Sequence, residues 1–489
     1  MHNSHSDHYD LAALAREEMI ARGFVPDFPP AAIEQVGNLR AHPTAPAGGA
    51  VQDLRGLLWS SIDNDTSRDL DQIEVAERLE NGDIRIRVGI ADVDGDVAKG
   101  SPVDQHAAAN CTTVYTGVRN FSMLPEDLST DMTSLNEHAD RAAIVVEAVV
   151  AEDGAVRGGT AYRALTRNAA QLAYSSVGPW LEGHGEAPEK LAASAELQAQ
   201  LRLQDEAAQR LRTSRHRLGA LDLDREETEA VVSDGHVTGI RPRHRNRASQ
   251  LIEDFMIAAN GVIARMLGEG GRSSMRRVVR VPKRWDRIVE LAAQSGDKLP
   301  DDPDSGALNQ FLTKRHAEDP VHYADLSLAV VKLMGPGEYV LERAGQTPIG
   351  HFALAVHDYT HSTAPNRRFA DLVTQRLVKA AIASRAAAYS DAELEAAAAN
   401  CTLREDAARK VERAMAKRMA AVALHDRIGQ VFRGVVTGAA DKGTWVRLIS
   451  PPVEGRLVRG ERGVDVGDQV QVKLLNTDPL RGFIDFARA

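Results

Sequence analysis

The chain has 489 residues, a hydrophobic fraction of 43% and a formal net charge of −10. This length allows on the order of two to four domains. The negative charge excludes a histone-like basic coat but leaves room for a local basic channel that binds RNA. Two cysteines give no disulfide framework and no Cys/His spacing indicates zinc, so a reducing, cytoplasmic location is expected. No apolar run approaches the length of a membrane span, and the polar first residues are unlike a signal peptide, so no membrane partner is expected.

Residues 10–40 predict two short helices. The first carries Leu11, Leu14 and Met19 at helical spacing, and the second begins at Pro29-Pro30. Two helices this close are compatible with a helix-turn-helix and equally with an arm that packs on the next domain. The sequence leaves both open, and the Ala-, Pro- and Gly-rich residues 41–50 predict a linker.

An acidic stretch lies between two predicted strands, from Ser60 to Ile73. Four carboxylates occupy nine positions of it: Asp63, Asp65, Asp69 and Asp71. Like charges at this density repel, and a divalent cation would remove that repulsion. Oxygen ligands with few His or Cys residues nearby are typical of Mg²⁺ or Mn²⁺ sites. The alternative is a polar turn whose aspartates cap their own backbone, and the stretch alone leaves both open.

The segment from residue 51 to about residue 380 predicts one mixed α/β domain. Apolar strands are expected at 84–93 and 143–150, and helices at 194–218 and 248–267. Alternating arginines precede the last of these helices, at Arg241, Arg243, Arg245 and Arg247. They indicate either a solvated rim or a phosphate-binding edge, and the edge is the favoured interpretation.

A second polar motif runs from Thr363 to Leu372. Pro365 predicts the first turn of a helix, which would place Arg367 and Arg368 where a bound phosphate would compensate their charge. Ser390 and Glu393 form a capping-box pattern, which predicts a helical region reaching about residue 426.

The last 60 residues predict five short strands, spaced as in a five-stranded barrel. Phe432 and Trp445 lie among arginines in this region, where aromatic faces could stack on bases. The alternative is that either ring belongs to the core of the barrel.

Together these motifs resemble the ribonuclease II family, whose catalytic domain is called RNB. The family pattern is an Asp, five residues, then Asp-x-Asp-Asp. Asp63, Asp69 and Asp71 match its first three acids, and Gln72 stands in place of the fourth. Residues 363–371 resemble the family's Thr-Ser-Pro-Ile-Arg-Arg-Tyr-x-Asp, and the last 60 residues resemble an S1-type RNA-binding domain, which is an OB fold.

The resemblance implies a multidomain α+β protein. We expect a small helical N-terminal module at 1–50, a mixed α/β RNB catalytic domain at 51–425 and a C-terminal S1-type β-barrel at 426–489. Many relatives begin with cold-shock barrels, for which roughly 70 residues would be needed before the acidic loop. The helical module therefore departs from the commoner plan of the family.

The implied activity is processive 3′→5′ exonucleolytic hydrolysis of RNA to nucleoside 5′-monophosphates, by a monomer acting on single-stranded 3′ ends and potentially on structured RNA. The expected catalytic residues are Asp63, Asp69, Asp71 and Arg367. The expected metal ligands for Mg²⁺, with Mn²⁺ as an alternative, are Asp63, Asp69, Asp71 and Gln72. Two other classes stay open: a catalytically silent RNA-binding protein, suggested by Gln72, and a DNA-binding regulator built on the N-terminal helices.

Six positions are expected to contact RNA. Tyr115 matches an aromatic that stacks on terminal bases, and Leu223 stands where the family usually has a second, phenylalanine clamp. Tyr174 and Glu253 match residues near the 2′-hydroxyl. The other two expected RNA contacts are Arg368, near the phosphate, and Trp445, on the barrel.

Overall fold

The computed structural model describes residues 9–42, 51–223, 227–233, 236–243, 245–320, 323–440 and 443–489. The helices are α1 Leu11–Ala21, α2 Pro30–Ala41, α3 Pro102–Asn110, α4 Tyr174–Leu181, α5 Glu189–Ala192, α6 Ala195–Arg217, α7 Arg247–Glu269, α8 Trp285–Gln294, α9 Ser305–Glu318, α10 Tyr323–Met334, α11 Phe369–Ile382 and α12 Asp391–Leu424. The strands of the first two thirds are β1 Gln52–Asp53, β2 Trp59–Asp63, β3 Gln72–Arg78, β4 Ile84–Ala91, β5 Val114–Tyr115, β6 Asn120–Phe121, β7 Asp140–Val150, β8 Val156–Ala173, β9 Glu227–Ser233, β10 His236–Arg243, β11 Ser274–Val278 and β12 Glu338–Glu342. The C-terminal strands are β13 Val431–Ala440, β14 Gly443–Leu448, β15 Glu454–Arg459, β16 Gln469–Asp478 and β17 Phe483–Arg488.

The central sheet has the strand order β1-β8-β2-β3-β4-β7. The 18-residue strand β8 pairs antiparallel with β7 along its first part and parallel with β2 at its end. Because β7 also pairs with β4, the strands β2, β3, β4, β7 and β8 form a closed circuit. This circuit holds the acidic loop, which connects β2 to β3, at one end of two paired strands.

The core of this domain is covered by long helices. α7 is buried along most of its length, and its residues Leu251, Phe255 and Ile263 belong to the same cluster as Trp59 and Ile90 of the sheet. A hydrophobic residue recurs on every face of α7, as expected for a helix enclosed by other elements. α7 and the sheet therefore form the rigid frame of the site.

The two N-terminal helices lie on the catalytic domain. Leu11, Ala15 and Met19 of α1 join Val411 and Met415 of α12 in one apolar cluster. α2 packs next to α3, and the Asn110 side chain at the end of α3 bonds both the backbone N–H and the carbonyl of residue 25 in the intervening loop. In this arrangement the two helices form an arm along the domain surface.

The C-terminal strands close into the barrel β13-β14-β15-β17-β16. Its interior contains Phe432, which is 6% exposed, with Val446 and Phe486. The end of α12 contributes Ala421 and Leu424 to the same cluster, so the helix and the barrel share a core.

The predicted architecture is confirmed: a helical N-terminal region, a mixed α/β domain and a five-stranded C-terminal barrel. The predicted helix at Pro365 is wrong, since α11 begins only at Phe369. The backbone of Arg368 is extended, with φ −133° and ψ 123°, and residue 368 bridges Thr112. The two arginines therefore precede the first turn of α11, with Arg368 at its N-cap. In the described part of the chain, no helix is both long and apolar enough to span a membrane.

Candidate active site

The acidic loop begins at Asp63, the last residue of β2. One oxygen of this carboxylate accepts hydrogen bonds from the backbone N–H of Asn64 at 2.7 Å and from the Ser67 hydroxyl at 2.8 Å. Asp63 thus caps its own turn, as in the alternative prediction of a polar turn whose aspartates cap their own backbone. Because the capping uses only one oxygen, the same carboxylate keeps a second oxygen for a ligand.

Asp71 is the most deeply buried acid of the loop, at 2% exposure. Its Oδ1 accepts from the backbone N–H of Asn366 at 2.9 Å, and its Oδ2 has no hydrogen-bond partner. The Arg367 Nε lies 3.5 Å from that Oδ2, at the outer limit of hydrogen bonding. Burial raises the pKa of Asp71 to about 8, partly offset by the Arg367 charge. A buried carboxylate with an unused oxygen is a strong candidate for an ion or substrate contact.

Asp69 lies between these two acids. Burial raises the pKa of its carboxyl, the neighbouring Asp63 charge raises it further, and a hydrogen bond with the Tyr115 side chain lowers it. Tyr115 comes from the β5–β6 hairpin and is 42% exposed. The hairpin therefore places an aromatic ring directly against the acidic loop, where sequence similarity had predicted a base-stacking residue.

The segment that carries Arg367 is held by backbone contacts to the end of α3. The N–H of Thr113 donates to the carbonyl of Arg367 at 2.9 Å, and the N–H of Phe369 donates to the carbonyl of Cys111 at 2.9 Å. Both hydrogen bonds run between segments more than 250 residues apart in the chain. The Arg367 side chain stays 41% exposed, so its guanidinium can reach a phosphate while its backbone is fixed.

Arg368 points to a different partner. Its Nε and Nη2 bind both oxygens of Asp371, at 2.8 and 2.7 Å, and Asp371 is fully buried. The same carboxylate accepts from the backbone N–H of Ala364 at 2.8 Å. The structure thus assigns Arg368 to holding this turn, in contrast to the expected RNA contact.

Three other expected RNA contacts, Leu223, Glu253 and Tyr174, lie on separate elements, and Tyr174 directly follows Ala173, the register partner of Asp63. Leu223 packs against the apolar cluster of α8, α9 and α10, and the residues directly after it, 224–226, lie outside the described residues. Glu253 is half-exposed and paired with Arg245, while the adjacent Asp254 is buried and paired with Arg215. Tyr174 begins α4, and its carbonyl accepts from Asn246 at 2.8 Å.

The basic edge predicted before α7 is partly neutralised. Arg247 binds both oxygens of Asp205 at 2.7 Å, and Arg245 pairs with Glu253. Arg241 and Arg243 lie in β10. Two of the four arginines therefore already hold a carboxylate and are poorly placed to hold phosphate as well.

On the barrel, Trp445 lies opposite Arg456 in the β14–β15 register and is half-buried. Residues paired in this way share one face of the sheet. Arg447, two residues along the same face, pairs with Asp325 of α10 at 3.3 Å. This face of the barrel is therefore directed toward the catalytic domain.

The donor set of the acidic loop fits a hard divalent cation. Its ligands would be carboxylate oxygens of Asp63, Asp69 and Asp71, with the amide oxygen of Gln72 at the start of β3. Oδ2 of Asp71 accepts no hydrogen bond and faces only the Arg367 Nε, at 3.5 Å. Among the described residues, no three carboxylate, imidazole or thiolate groups are drawn together closely enough to hold an ion.

Two residues in or beside this site were missed by the sequence analysis. Asn366 binds Asp71 through its backbone and accepts from the Thr133 hydroxyl at 2.6 Å through its side chain. The sequence feature that could have revealed Asn366 is the Asn at a position where the resembled family motif has Ile. Glu74 is a fully buried acid on β3, and its signal was a charged residue inside an apolar strand.

Two family models match the chain. The RNB domain matches residues 51–384, and the RNase II-type exonuclease C-terminal S1 domain matches residues 430–489. Ribonuclease R of Thermotoga maritima is 30% identical over 475 residues, which cover 89% of this chain and 64% of that relative. The chain thus spans somewhat less than two thirds of the length of this relative.

Solved structures share the fold. Mycoplasma genitalium RNase R in complex with ribose methylated single-stranded RNA has a TM-score of 0.87 and 22% identity, covering 98% of this chain and 78% of that chain. The same protein has also been solved with double-stranded RNA. Yeast Ssd1, described as a pseudonuclease, has a TM-score of 0.69 and 16% identity, covering 95% of this chain and 57% of that one. Since the RNB model alone spans well over half of the chain, the protein belongs to the RNB family.

Proposed function

We propose that this chain is a Mg²⁺-dependent exoribonuclease that hydrolyses RNA from the 3′ end and releases nucleoside 5′-monophosphates. The observation that carries the proposal is Asp71, a buried carboxylate with an unpartnered oxygen opposite the exposed guanidinium of Arg367. Phosphodiester hydrolysis needs a negative site for cations and a positive group for the phosphate, and these two residues supply one each.

The aspartates and Arg367 have different roles in this proposal. Asp63, Asp69 and Asp71 would hold the divalent cation, which supplies a nucleophilic water and neutralises charge on the phosphate when it is bound. Arg367 neutralises a non-bridging phosphate oxygen with the part of its guanidinium that faces away from Asp71. The Asn366 N–H orients the Asp71 carboxylate and the Ser67 hydroxyl orients Asp63, so both acids are fixed before RNA arrives.

The RNA would be held as a single strand, by a monomer. Tyr115 offers an aromatic face beside the acids, and stacking on it tolerates any base, as a degradative enzyme requires. Trp445 and Arg456 would hold the strand farther from its 3′ end. Binding of single-stranded and double-stranded RNA by the M. genitalium relative supports testing structured substrates too.

The test is a hairpin RNA with a single-stranded 3′ tail, labelled at its 5′ end and incubated with Mg²⁺ or with EDTA. We expect progressive shortening from the 3′ end and release of nucleoside 5′-monophosphates with Mg²⁺ only. Endonucleolytic fragments, or release of nucleoside 3′-phosphates, would contradict the proposal. The remaining length of the hairpin product measures how far structured RNA is degraded.

The second candidate is an RNA-binding protein without catalytic activity. The observation behind it is Gln72, which stands in place of an acid. It predicts that the same RNA is bound and stays at full length at every Mg²⁺ concentration. A mobility-shift measurement alongside the digestion separates the two candidates.

A further inference from the structure

The turn from α3 into the β5–β6 hairpin determines where the ring of Tyr115 lies. α3 ends at Asn110, and Cys111 follows in the left-handed region, with φ 59° and ψ −16°. This backbone conformation is unfavourable for a residue other than glycine and persists only where the surrounding structure holds it. Tyr115 comes four residues later, with its side chain hydrogen-bonded to Asp69. The position of the ring therefore depends on the contacts that fix this turn.

The turn is held from two sides. Toward the acids, the backbone of Cys111 and Thr113 is hydrogen-bonded to residues 367–369. On the other side, the Asn110 side chain, which is 4% exposed, holds the loop between α1 and α2. Its Oδ1 accepts from the backbone N–H of Val25 at 2.9 Å, and its Nδ2 donates to the Val25 carbonyl at 2.8 Å. The Asn110 amide thus pairs with both backbone groups of Val25, as a neighbouring strand would.

The loop that Asn110 holds, residues 22–29, is anchored at two further points. The Arg404 guanidinium of α12 donates to the carbonyl of Gly23. The Phe28 ring lies on the His106 ring of α3, with 4.4 Å between the ring centroids, and Nε2 of His106 is 3.1 Å from Nδ2 of Asn110. Because α3 and α12 both belong to the catalytic domain, the loop gives the turn a fixed support.

The hairpin also rests on the N-terminal arm, which consists of α1, α2 and the loop between them. Val114 pairs with Phe121 in the hairpin, and side chains alternate between the faces of a strand, so Tyr115 lies on the opposite face. Val114 is fully buried and Phe121 is 5% exposed. Both belong to an apolar cluster that includes three residues of the arm: Leu11, Met19 and Phe24. A two-stranded hairpin has little stability of its own, so it needs this support.

We propose that Asn110 is a positioning residue for Tyr115, through which the N-terminal arm fixes the ring that stacks on the 3′-terminal bases of the RNA. The inference rests on the proposed function, in which Tyr115 contacts RNA beside the acids. Loss of the two hydrogen bonds between Asn110 and Val25 would free the turn at Cys111 and leave the ring without one fixed orientation. This role needs no contact between the arm and the RNA.

The test is binding of a short single-stranded RNA to the full-length chain in EDTA, which prevents metal-dependent hydrolysis. The 3′-terminal base is 2-aminopurine, whose fluorescence is quenched by stacking. Four proteins complete a cycle: wild type, Asn110→Ala, Tyr115→Ala and the double variant. We expect Tyr115→Ala to weaken binding by about fivefold or more, the loss of one base–aromatic stack, and to raise the fluorescence of the bound RNA.

Asn110→Ala should weaken binding by about threefold or more and raise the same fluorescence, because the ring it positions stacks less well. The double variant should bind within about twofold of Tyr115→Ala, since no ring is left to position. Val25→Ala is the matched control. It removes a side chain that is 47% exposed and keeps both backbone hydrogen bonds to Asn110, so it should bind like wild type.

Wild-type fluorescence of the RNA bound to Asn110→Ala would overturn the assignment. A double variant weaker than Tyr115→Ala by the full factor that Asn110→Ala costs alone would also overturn it, as would wild-type fluorescence in Tyr115→Ala, which would leave no stacking ring to position. If Asn110→Ala does not fold, Asn110→Asp replaces it under the same criteria, because it keeps the shape and the acceptor but loses the donor to Val25. A wild-type chain that shows the expected cycle and hydrolyses no RNA with Mg²⁺ would refute the proposed function and support the role of Asn110.

Discussion

At the scale of single residues, the acids of the loop differ in what surrounds them. Asp71 is buried against Asn366 and Arg367, whereas Asp65 is exposed and accepts only from the Ser175 hydroxyl among the contacts seen. Burial makes each charge–charge interaction stronger than it would be in water. Substitution of Asp71 should therefore reduce hydrolysis more than substitution of Asp65.

Asp71→Asn should abolish hydrolysis while RNA binding stays nearly intact, because one ligand charge is lost and the rest of the RNA-binding surface is unchanged. The measurement is single-turnover cleavage of 5′-labelled RNA, alongside its dissociation constant. Asp65→Asn is the matched control and should cleave at close to the wild-type rate. More than about a tenth of wild-type turnover in Asp71→Asn, a barrier change below about 1.4 kcal/mol, would remove Asp71 from the chemistry.

Arg367→Ala should slow cleavage by about a hundredfold or more, in the range seen when one charge-stabilising donor is removed from an active site. Arg367→Lys should recover only part of the rate, since lysine keeps the charge and loses the planar fork. Single-turnover rates at saturating RNA give the comparison. Full recovery by lysine would show that charge alone is sufficient.

At the scale of elements, the turn from Ala364 to Asp371 is organised around a buried carboxylate. Asp371 holds Arg368 at one side and the Ala364 N–H at the other. This turn places Asn366 and Arg367 against Asp71. Its integrity should therefore control both stability and the geometry of the site.

Arg368→Ala should lower the free energy of unfolding by about 3 kcal/mol or more, because Asp371 would be left buried without its cation. Urea denaturation followed by tryptophan fluorescence measures it. Arg40→Ala is the control: its ion pairs with Asp127 and Asp131 are exposed and should contribute less than about 1 kcal/mol. Equal losses in both variants would contradict the structural role of Arg368.

A buried aromatic and histidine cluster lies behind the same turn. The Tyr339 hydroxyl is 2.7 Å from Nδ1 of His361, whose ring also contacts Tyr359, and Tyr359 contacts His351. Burial lowers the pKa of His361 well below its usual range and lowers that of His351 to about 4. The unfolded chain therefore takes up protons below pH of about 6.5, where the folded chain does not.

For these two histidines, the difference in proton uptake predicts that their contribution to stability is complete above pH of about 6.5 and is lost as the pH falls from there toward 4. The midpoint of urea unfolding at pH 7.5 and at pH 5 measures the loss. His361→Gln should reduce the difference between the two midpoints, and His184→Gln, at a 65% exposed side chain, should leave it unchanged. An unchanged difference in His361→Gln would assign the acid sensitivity elsewhere.

At the scale of the whole molecule, α12 connects the parts that would act on RNA. Its Glu412 accepts from the backbone N–H of Tyr115 at 3.1 Å, its Glu405 binds Arg277 through both oxygens, and its last turn enters the barrel core. A single helix of 34 residues thus spans from the site hairpin to the S1-type barrel. The barrel should therefore hold RNA in a fixed direction relative to the acids.

Trp445→Ala should weaken RNA binding by about 1–3 kcal/mol, the contribution of one base–aromatic stack, and spare the single-turnover rate at saturating RNA. Fluorescence anisotropy and quench-flow cleavage give the two quantities. Val431→Ala, an exposed residue on the neighbouring strand β13, is the control and should change neither. A collapse of the single-turnover rate in Trp445→Ala would show that the barrel shapes the active site.

The sequence by itself determined the order of domains, the five-stranded barrel and the motif positions of Asp63, Asp69, Asp71 and Arg367, because each depends on local periodicity or on short runs of residues. It placed both Arg367, as a catalytic residue, and Arg368, as an RNA contact, in the first turn of one helix. Only the tertiary structure showed their partners, by directing Arg367 to Asp71 and Arg368 to Asp371. The contacts that place Arg367 join residues about 300 positions apart, as between Asp71 and Asn366, whereas Arg368 and Asp371 are neighbours in one turn. The burial of Glu74 was also decided in three dimensions, since a strand's own alternation does not reveal which face will meet α6 or whether water will reach it.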